Sequence, residues 1–164
     1  KMPSYLQNLL KINVQRSEND GKREVNYDTS KGGTLLHKAI DQRQWKSALA
    51  RIHHAPHECS TYTFRIDCSN GTCVKFRTLP LHEACKRQPP PIIVLSLLGA
   101  YAKAAKILCD GYLPLHLAVK FGCSMDIIQS LILAYPLALK VTNADGKKAI
   151  DILETDSVGV WDAE

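Results

Sequence analysis

Apolar residues in the stretch MDIIQSLILAYP recur at the spacing of an amphipathic helix. The apolar face consists of Ile127, Ile128, Leu131 and Leu133. Pro136 ends this helix, because proline cannot continue its hydrogen-bonded backbone. Upstream, residues 89–91 are prolines, which suit the first turn of a helix, and Gly122 suits the left-handed end of another. The pattern therefore predicts a short helix, a turn, a longer helix and a loop.

The same pattern occurs at an offset of thirty-four residues. In the first half of the unit, the offset matches Leu79, Pro80, Leu81, His82, Ala84 and Lys86 with Leu113, Pro114, Leu115, His116, Ala118 and Lys120. In the second half, it matches Ile93, Leu97, Ala100, Tyr101, Ala104 and Lys106 with Ile127, Leu131, Ala134, Tyr135, Ala138 and Lys140. Identities spread over both halves of one unit indicate an internal repeat.

Two outlying copies of the unit follow from the same comparison. The stretch GGTLLHKAI aligns its histidine with His82. The stretch DGKKAIDIL places Ile150 and Asp151 on the positions of Leu115 and His116, after one extra residue. We therefore expect units near 32–60, 77–110, 111–145 and 146–155.

The boxes LPLHEA and LPLHLA resemble the Thr-Pro-Leu-His-x-Ala signature of the ankyrin repeat, whose units have about 33 residues. The resemblance covers residues 32–155 and describes a divergent LPLHxA variant. It implies a mainly α fold, an ankyrin-type helix-turn-helix repeat solenoid with an inserted β-hairpin. The structural box residues that it implies are Leu36, His37, Ala39, Pro80, Leu81, His82, Ala84, Pro114, Leu115, His116 and Ala118. In this family the histidine hydrogen-bonds the backbone of the neighbouring turn, so we expect no metal or catalytic role for it.

An insertion of about eleven residues separates the first two boxes, since His37 and His82 lie forty-five positions apart. The insertion contains TYTFRIDCSNGTCVKFR, with two alternating apolar-polar runs around Asn70-Gly71. Asn-Gly is the strongest short signal for a two-residue hairpin turn. We therefore predict a β-hairpin within 61–78, with strands over 61–68 and 72–78.

Cys68 and Cys73 face each other in that predicted hairpin, if Asn70-Gly71 forms its loop. The two residues then form a non-hydrogen-bonded pair, with α-carbons about 4.5 Å apart, a separation that a disulfide accepts. Two interpretations stay open, a redox-sensitive disulfide and a pair of ordinary thiols. The six cysteines of the chain are few for a disulfide scaffold and form no CxxC pair, which favours a reducing, intracellular compartment.

The two ends of the chain depart from the repeat. Residues 1–31 read as an amphipathic capping helix, SYLQNLLKINV, followed by a polar linker; a helix for a partner is the alternative. The fourth unit has a first helix around Ala149–Glu154, but only the tail 156–164 stands where its second helix should follow. Val158, Val160 and Trp161 then fold over the open edge, or that edge docks on another subunit, or the array has been cut.

The net charge of +5 is concentrated in the middle of the chain. Residues 38–87 carry nine Lys and Arg against four acidic residues, a balance of +5, whereas residues 88–164 carry six against eight, a balance of −2. A basic segment favours an acidic protein, a nucleic acid or an anionic membrane as partner. Solvated lysines and arginines are the simpler interpretation.

Known chemical motifs are scarce in this sequence. HHAPHEC concentrates potential zinc ligands, but His53 and His54 are adjacent, Pro56 interrupts the backbone before His57, and no second ligand pair has a recognisable spacing. Neither GxxxxGK[ST] nor GxSxG occurs. We expect no enzymatic activity, no cofactor and no small-molecule substrate.

The sequence therefore predicts a non-enzymatic protein-interaction module or adaptor. By resemblance, its contacts use the loops and the exposed sides of the first helices. The expected contact residues are Lys38, Asp41, Arg65, Lys75, Arg77, Glu83, Leu117 and Lys120. One alternative is a structural, peripheral subunit of a multi-subunit complex, anchored near Trp161. The other is an electrostatic binder of nucleic acid or anionic membrane through residues 38–87.

Overall fold

The structure is a computed structural model that describes residues 27–28, 33–67 and 74–157, with backbone alone for 27–28, 64–67, 74–76 and 154–157. This part of the chain is mainly helical, with one small sheet. The α-helices are α1 (Leu35–Asp41), α2 (Trp45–His54), α3 (Pro80–Lys86), α4 (Pro91–Ala100), α5 (Pro114–Lys120), α6 (Met125–Ala134) and α7 (Ala149–Ser157). The strands are β1 (Tyr27–Asp28), β2 (Tyr62–Asp67) and β3 (Val74–Thr78).

The helices pack in two rows. The short helices α1, α3, α5 and α7 contact one another in that order, and we call them the first row. The longer helices α2, α4 and α6 do the same and form the second row. Each of α1, α3 and α5 also packs against the longer helix that follows it in the chain. The alternation of short and long helices predicted from the sequence is confirmed.

Prolines stand at the starts of three α-helices and of two 3-10 helices. Pro80, Pro91 and Pro114 each occupy the first turn of a helix, where the missing N–H costs no hydrogen bond. Helix α6 ends at Ala134, and Pro136 starts a separate 3-10 helix. The left-handed residue predicted at Gly122 is present, with φ of 65° just after α5.

Three 3-10 helices follow the second-row helices where the sequence predicted loops. They span Pro56–Ser60, Ala102–Lys106 and Pro136–Leu139. The latter two begin after Tyr101 and Tyr135, whose backbones are extended, with φ near −147° and −148°. Segments of four or five residues are too short to show a helical apolar period, so the sequence pattern did not reveal them.

The predicted hairpin is confirmed in its two strands. β2 and β3 pair antiparallel, from Thr63 opposite Thr78 to Asp67 opposite Val74. Asn70-Gly71 and the pair Cys68 and Cys73 lie outside the described residues.

β1 corrects the expectation for the linker within residues 1–31. Tyr27 and Asp28 pair in parallel with Tyr62 and Thr63, so the sheet has three strands in the order β1-β2-β3. A two-residue strand carries no alternation of its own, and its pairing depends on β2, which lies far away in sequence. The predicted capping helix lies outside the described residues.

The core lies between the two rows. Its largest fully buried apolar side chains come from both rows and from the residues before the first-row helices: Leu36, Ile40, Leu79, Leu81, Ile93, Leu97, Leu113, Leu115, Ile127 and Leu131. Cys85 is fully buried among them. Helix α7 contributes Ala149 and Ile152. Among the described residues, no helix has the length and apolar character to cross a membrane.

Candidate interaction surface

Charged side chains line the solvent-facing side of the first row. This first-helix surface comprises Lys38 and Asp41 on α1, Glu83 on α3 with Arg87 just after it, and Lys120 on α5. Lys38, Asp41 and Lys120 are exposed, and Glu83 and Arg87 are half-buried. Because α1, α3 and α5 contact one another in order, the five side chains lie on three successive helices.

Arg87 connects two of those helices. Its guanidinium forms an ion pair with Asp41 on α1 and lies 3.1 Å from a carboxylate oxygen of Glu83 on α3. The ammonium of Lys86 lies 3.6 Å from the other carboxylate oxygen of Glu83. Exposed ion pairs contribute only about 0–1 kcal/mol each to stability. Their main consequence here is that the charged groups hold defined positions across the α1–α3 boundary.

A second set of contacts continues this surface towards α5 and α7. The side-chain amide of Gln88 donates to the carbonyl oxygen of Phe121 at 2.6 Å, which joins the ends of α3 and α5. The ammonium of Lys120 lies 5.3 Å from the centre of the Tyr112 ring, within cation–π range. The Tyr112 hydroxyl donates to the carboxylate of Asp145, and this bond raises the pKa of Tyr112.

One predicted contact residue does not belong to this surface. Leu117 is only 6% exposed and forms part of the core, so the expectation that it faces a partner is wrong. At the thirty-four-residue offset it corresponds to Glu83, which is half-buried, and Lys38 holds the aligned position in the first copy. The signal was available, because an apolar residue at a position that elsewhere holds a charge indicates burial.

The predicted contact residues of the hairpin lie at the sheet. The exposed guanidinium of Arg77 lies 5.6 Å from the centre of the Tyr62 ring. Arg65 lies on β2 opposite Phe76, and Lys75 lies on β3 opposite Ile66. Residue Trp161, expected to anchor the chain in a complex, lies outside the described residues.

Three residues of this surface and of the contacts that continue it were missed from the sequence. Arg87 lies four residues after Glu83, a spacing that indicates an ion pair on a helix but cannot show the bond to Asp41. Tyr112 and Asp145 lie in separate loops, and no local pattern connects them.

The two box histidines of α3 and α5 lie behind this surface, fully buried. Nε2 of His82 lies 2.9 Å from the carbonyl oxygen of Ile107, and Nε2 of His116 lies 2.9 Å from that of Val141. Burial lowers the pKa of His82 to about 4 and lowers that of His116 as well. Both rings are therefore neutral at pH 7, and each donates its Nε2 proton to a carbonyl of the following loop.

Near α1, the buried carboxylate of Glu58 connects a loop segment to a first-row helix, as the two histidines do. Glu58 is 5% exposed; it pairs with Arg51 and accepts the backbone N–H of Leu36 at 2.8 Å. Burial raises the pKa of Glu58, but the bonds from Arg51 and Leu36 outweigh it, so the pKa is below its usual value. The charged carboxylate ties the 3-10 helix after α2 to the start of α1. His37 is buried there too, 2.9 Å from the hydroxyl of Thr34.

Four buried thiols lie among the described residues. Burial raises the pKa of Cys59 to about 12 and that of Cys109 to about 11, and it also raises the pKa of Cys85 and Cys123. These thiols are protonated at neutral pH and are poor nucleophiles or metal ligands in that form. Cys123 instead donates to the backbone carbonyl of Cys85, with its sulfur 3.2 Å from the oxygen.

The histidines of HHAPHEC lie at the end of α2, where His53, His54 and His57 are exposed. Within residues 33–67 and 74–157, no group of three or more His, Cys, Asp or Glu residues is placed to hold a metal ion. Comparison of the chain with protein-family models and with curated proteins found no match.

Proposed function

We propose that this chain is a non-enzymatic, ankyrin-type repeat module that binds another protein through the first-helix surface. The main support for the proposal is that side-chain contacts join successive helices of the first row. Arg87 holds Asp41 of the preceding helix, and Gln88 holds the end of the following one at Phe121. Charged groups fixed before binding lose less conformational entropy when a partner docks.

The repeated histidine contact supports the ankyrin-type interpretation. In both units the acceptor carbonyl lies twenty-five residues after the histidine, and both distances are 2.9 Å. Equal contacts at equal separations are expected when one structural device is used twice. The two-row packing of short and long helices is in keeping with the same interpretation.

The proposed partner has both acidic and basic groups that face the first-helix surface. Lys38 and Lys120 are exposed cations near the two ends of the surface, and Asp41 between them is 52% exposed. A protein with acidic groups facing the lysines and a basic or polar group facing Asp41 fits this arrangement. Electrostatic complementarity of this kind mainly sets the association rate and the choice of partner.

The electrostatic alternative, binding of nucleic acid or anionic membrane by residues 38–87, has less support. Within that segment the charges of Arg51 and Arg87 are already paired with Glu58 and with Asp41 and Glu83. Part of the positive charge of the segment is therefore neutralised locally by these ion pairs.

The other alternative, a peripheral structural subunit, has one observation in its favour. Exposed apolar side chains concentrate near the end of the described chain, on α6, the 3-10 helix Pro136–Leu139 and α7. Large exposed apolar areas usually mark a surface that something else covers.

The test of the proposed function is capture of partners from the source cells by the immobilised full chain. The double variant Lys38→Glu/Lys120→Glu alters the first-helix surface. The matched control Lys46→Glu/Lys106→Glu changes the net charge equally at two exposed lysines outside that surface. We expect one stoichiometric protein to bind the wild type and the control, and to bind the first variant at least about tenfold more weakly.

The control also separates the alternatives. Equal losses in both variants, with affinity falling steeply as salt rises, would identify a delocalised electrostatic binder. No loss in either variant would exclude the first-helix surface as the binding site.

A further inference from the structure

Helices α1, α3 and α5 are each followed by one residue in the left-handed backbone conformation. These residues are Arg43, Gln88 and Gly122, with φ of 55°, 53° and 65°, and each lies six positions after the histidine of its box. Glycine is the usual residue at this place after a helix, because a β-carbon makes the conformation costly. The arginine and the glutamine therefore carry a conformational cost that the glycine avoids.

The structure shows what the side chain of Gln88 contributes in return. Its amide donates to the carbonyl oxygen of Phe121 at 2.6 Å and so joins two successive units. Gly122 lies at the equivalent turn of the following unit, and a β-carbon there would come within 3.8 Å of Nε2 of Gln88. The two turns are therefore neighbours, and a contact inside the protein offsets the conformational cost of the glutamine.

Arg43 has no such contact. Its side chain is exposed and forms no hydrogen bond, ion pair or ring contact with any described residue. The acidic residues of α1 and α3 are already engaged, since Asp41 and Glu83 both pair with Arg87. No Asp or Glu occurs in the sequence between residues 42 and 57. Within the described residues, nothing thus offsets the conformational cost of an arginine at this turn.

We propose that Arg43 contacts the partner, and that its guanidinium binds a carboxylate of the protein that docks on the first-helix surface. This inference rests on the proposed function. Arg43 lies two residues after Asp41, so it extends the surface at its α1 end. A guanidinium binds a carboxylate through two parallel hydrogen bonds, and costly backbone conformations occur preferentially at functional sites.

The charges around the turn favour a carboxylate as the group that Arg43 binds. On α1 and the turn after it, Lys38 and Arg43 are exposed cations, and Asp41 is the only acidic residue. The carboxylate of Asp41 is held by Arg87, which lessens its repulsion of an incoming acidic group. A carboxylate of the partner therefore meets a net positive charge at this end of the surface.

Substitutions at Arg43 should have opposite effects on folding and on binding. Arg43→Gly and Arg43→Asn remove the guanidinium and introduce residues that adopt a positive φ at lower cost. We expect the urea midpoint of unfolding to rise in both variants. We also expect the protein that the immobilised wild type captures from the source cells to bind both variants about tenfold more weakly. Arg43→Lys keeps the charge without the planar guanidinium and should weaken binding by a smaller factor.

Matched variants separate these effects from general ones. Lys106→Gln removes one exposed positive charge outside the first-helix surface and should leave the affinity unchanged. Gln88→Gly also removes a costly left-handed residue, but it breaks the bond to Phe121. Its urea midpoint should therefore rise less than that of Arg43→Gly. The comparison measures the contact within the protein that Gln88 has and Arg43 lacks.

Four results would overturn the proposal. A urea midpoint that does not rise in Arg43→Gly or Arg43→Asn would show that the arginine carries no cost for the fold. Unchanged affinity of both variants, with a loss only in Lys38→Glu/Lys120→Glu, would remove Arg43 from the site and leave the proposed function standing. Binding that nuclease treatment abolishes would assign the guanidinium to a phosphate of nucleic acid. Failure of the wild type to capture any protein would overturn the proposed function together with this inference.

Discussion

Loops 107–112 and 141–147 each accept a hydrogen bond from a buried box histidine. The two histidines differ in the hydrogen bonding of their other ring nitrogen. In the second loop, His116 uses both ring nitrogens: Nδ1 accepts the backbone N–H of Leu113 at 3.1 Å, and Nε2 donates to Val141. In the first loop, Nε2 of His82 donates to Ile107, whereas Nδ1 has no hydrogen-bond partner in the described structure. The same residue in the same sequence box is therefore fully satisfied in one unit and half satisfied in the other.

Cys109 accounts for part of this difference. The backbone N–H of Leu79, equivalent to that of Leu113, bonds to the Cys109 thiol and lowers its pKa, although burial raises that pKa more strongly. The corresponding residue of the second loop is Asn143, whose side-chain oxygen Oδ1 accepts the backbone N–H groups of Asp145 and Lys147 at 2.9 Å each. A thiol in one loop thus takes the amide that the histidine takes in the other. The residue at this loop position therefore differs between the two units together with the pairing of the buried ring.

The largest expected effect comes from removing each histidine in turn. His116→Ala leaves an amide and a carbonyl unpaired beside a cavity, and we expect it to cost about 4 kcal/mol of unfolding free energy. His82→Ala leaves only one carbonyl unpaired and should cost about 3 kcal/mol. Urea denaturation at pH 7 measures both, with Lys106→Ala as an exposed control. Equal losses for the two histidine variants would show that the unpaired Nδ1 of His82 has no energetic consequence.

The second-largest effect on stability is expected from acid, through the protonation of His82. Its pKa is lowered from 6.5 to about 4 by burial, so the unfolded chain binds a proton between these values that the folded chain does not. The contribution of His82 to stability therefore falls as pH decreases from 6.5 towards 4, by roughly 3 kcal/mol in total, and changes no further below that range. The difference in unfolding free energy between wild type and His82→Gln, measured from pH 7 to pH 4, isolates this contribution.

His82→Gln is a suitable reference because glutamine can still donate to Ile107 but does not titrate. A wild type and variant that lose stability in parallel over this range would contradict the assignment. The carboxylate of Glu58, whose pKa is lowered, begins to lose its contribution only as pH falls below the usual value of 4.5. It does so in the wild type and in His82→Gln alike, so its effect cancels in the difference between the two proteins.

The sequence could predict the helices that carry these histidines because the determinants are local. Pro80 and Pro114 start the helices, and the thirty-four-residue offset identifies both boxes without any structural information. The hairpin strands were predictable for a similar reason, since alternation and an Asn-Gly pair are short-range signals. The extra residue before the fourth box was also visible, and it lies in loop 141–147. In that loop, three residues separate Asn143 from Lys147, which are joined by a backbone hydrogen bond. In loop 107–112, only two residues separate Cys109 from Tyr112, which are joined in the same way.

The contacts that shape the candidate surface could not be predicted, because they join residues far apart in the chain. Arg87 reaches Asp41 forty-six residues away, and the Tyr112 hydroxyl reaches Asp145 thirty-three residues away. Strand β1 likewise exists only as a neighbour of β2. Sequence patterns of one element contain no information on which surface residue of another element will lie opposite. The ion-pair network therefore becomes visible only after the rows are assembled.

The smallest expected effect comes from the two loop glycines, which test whether the loops differ in space as well as in hydrogen bonding. Gly111 and Gly146 have nearly the same φ, 80° and 74°, in the left-handed region that other residues adopt at a cost. A β-carbon at Gly146 would meet nothing within 4 Å, whereas one at Gly111 would lie 2.6 Å from the β-carbon of Ala144 and 3.2 Å from its α-carbon. Since a backbone atom cannot rotate away, the clash adds to the conformational cost.

We therefore expect Gly146→Ala to lower the unfolding free energy by about 1 kcal/mol and Gly111→Ala by about 2 kcal/mol. Because the two substitutions share their conformational cost, the difference between them measures the close contact of loop 107–112 with loop 141–147. Ala144→Gly in the Gly111→Ala background should recover part of that difference, as it removes the nearest atom. If the two alanine variants lose equal stability, the loops do not press on each other at Gly111.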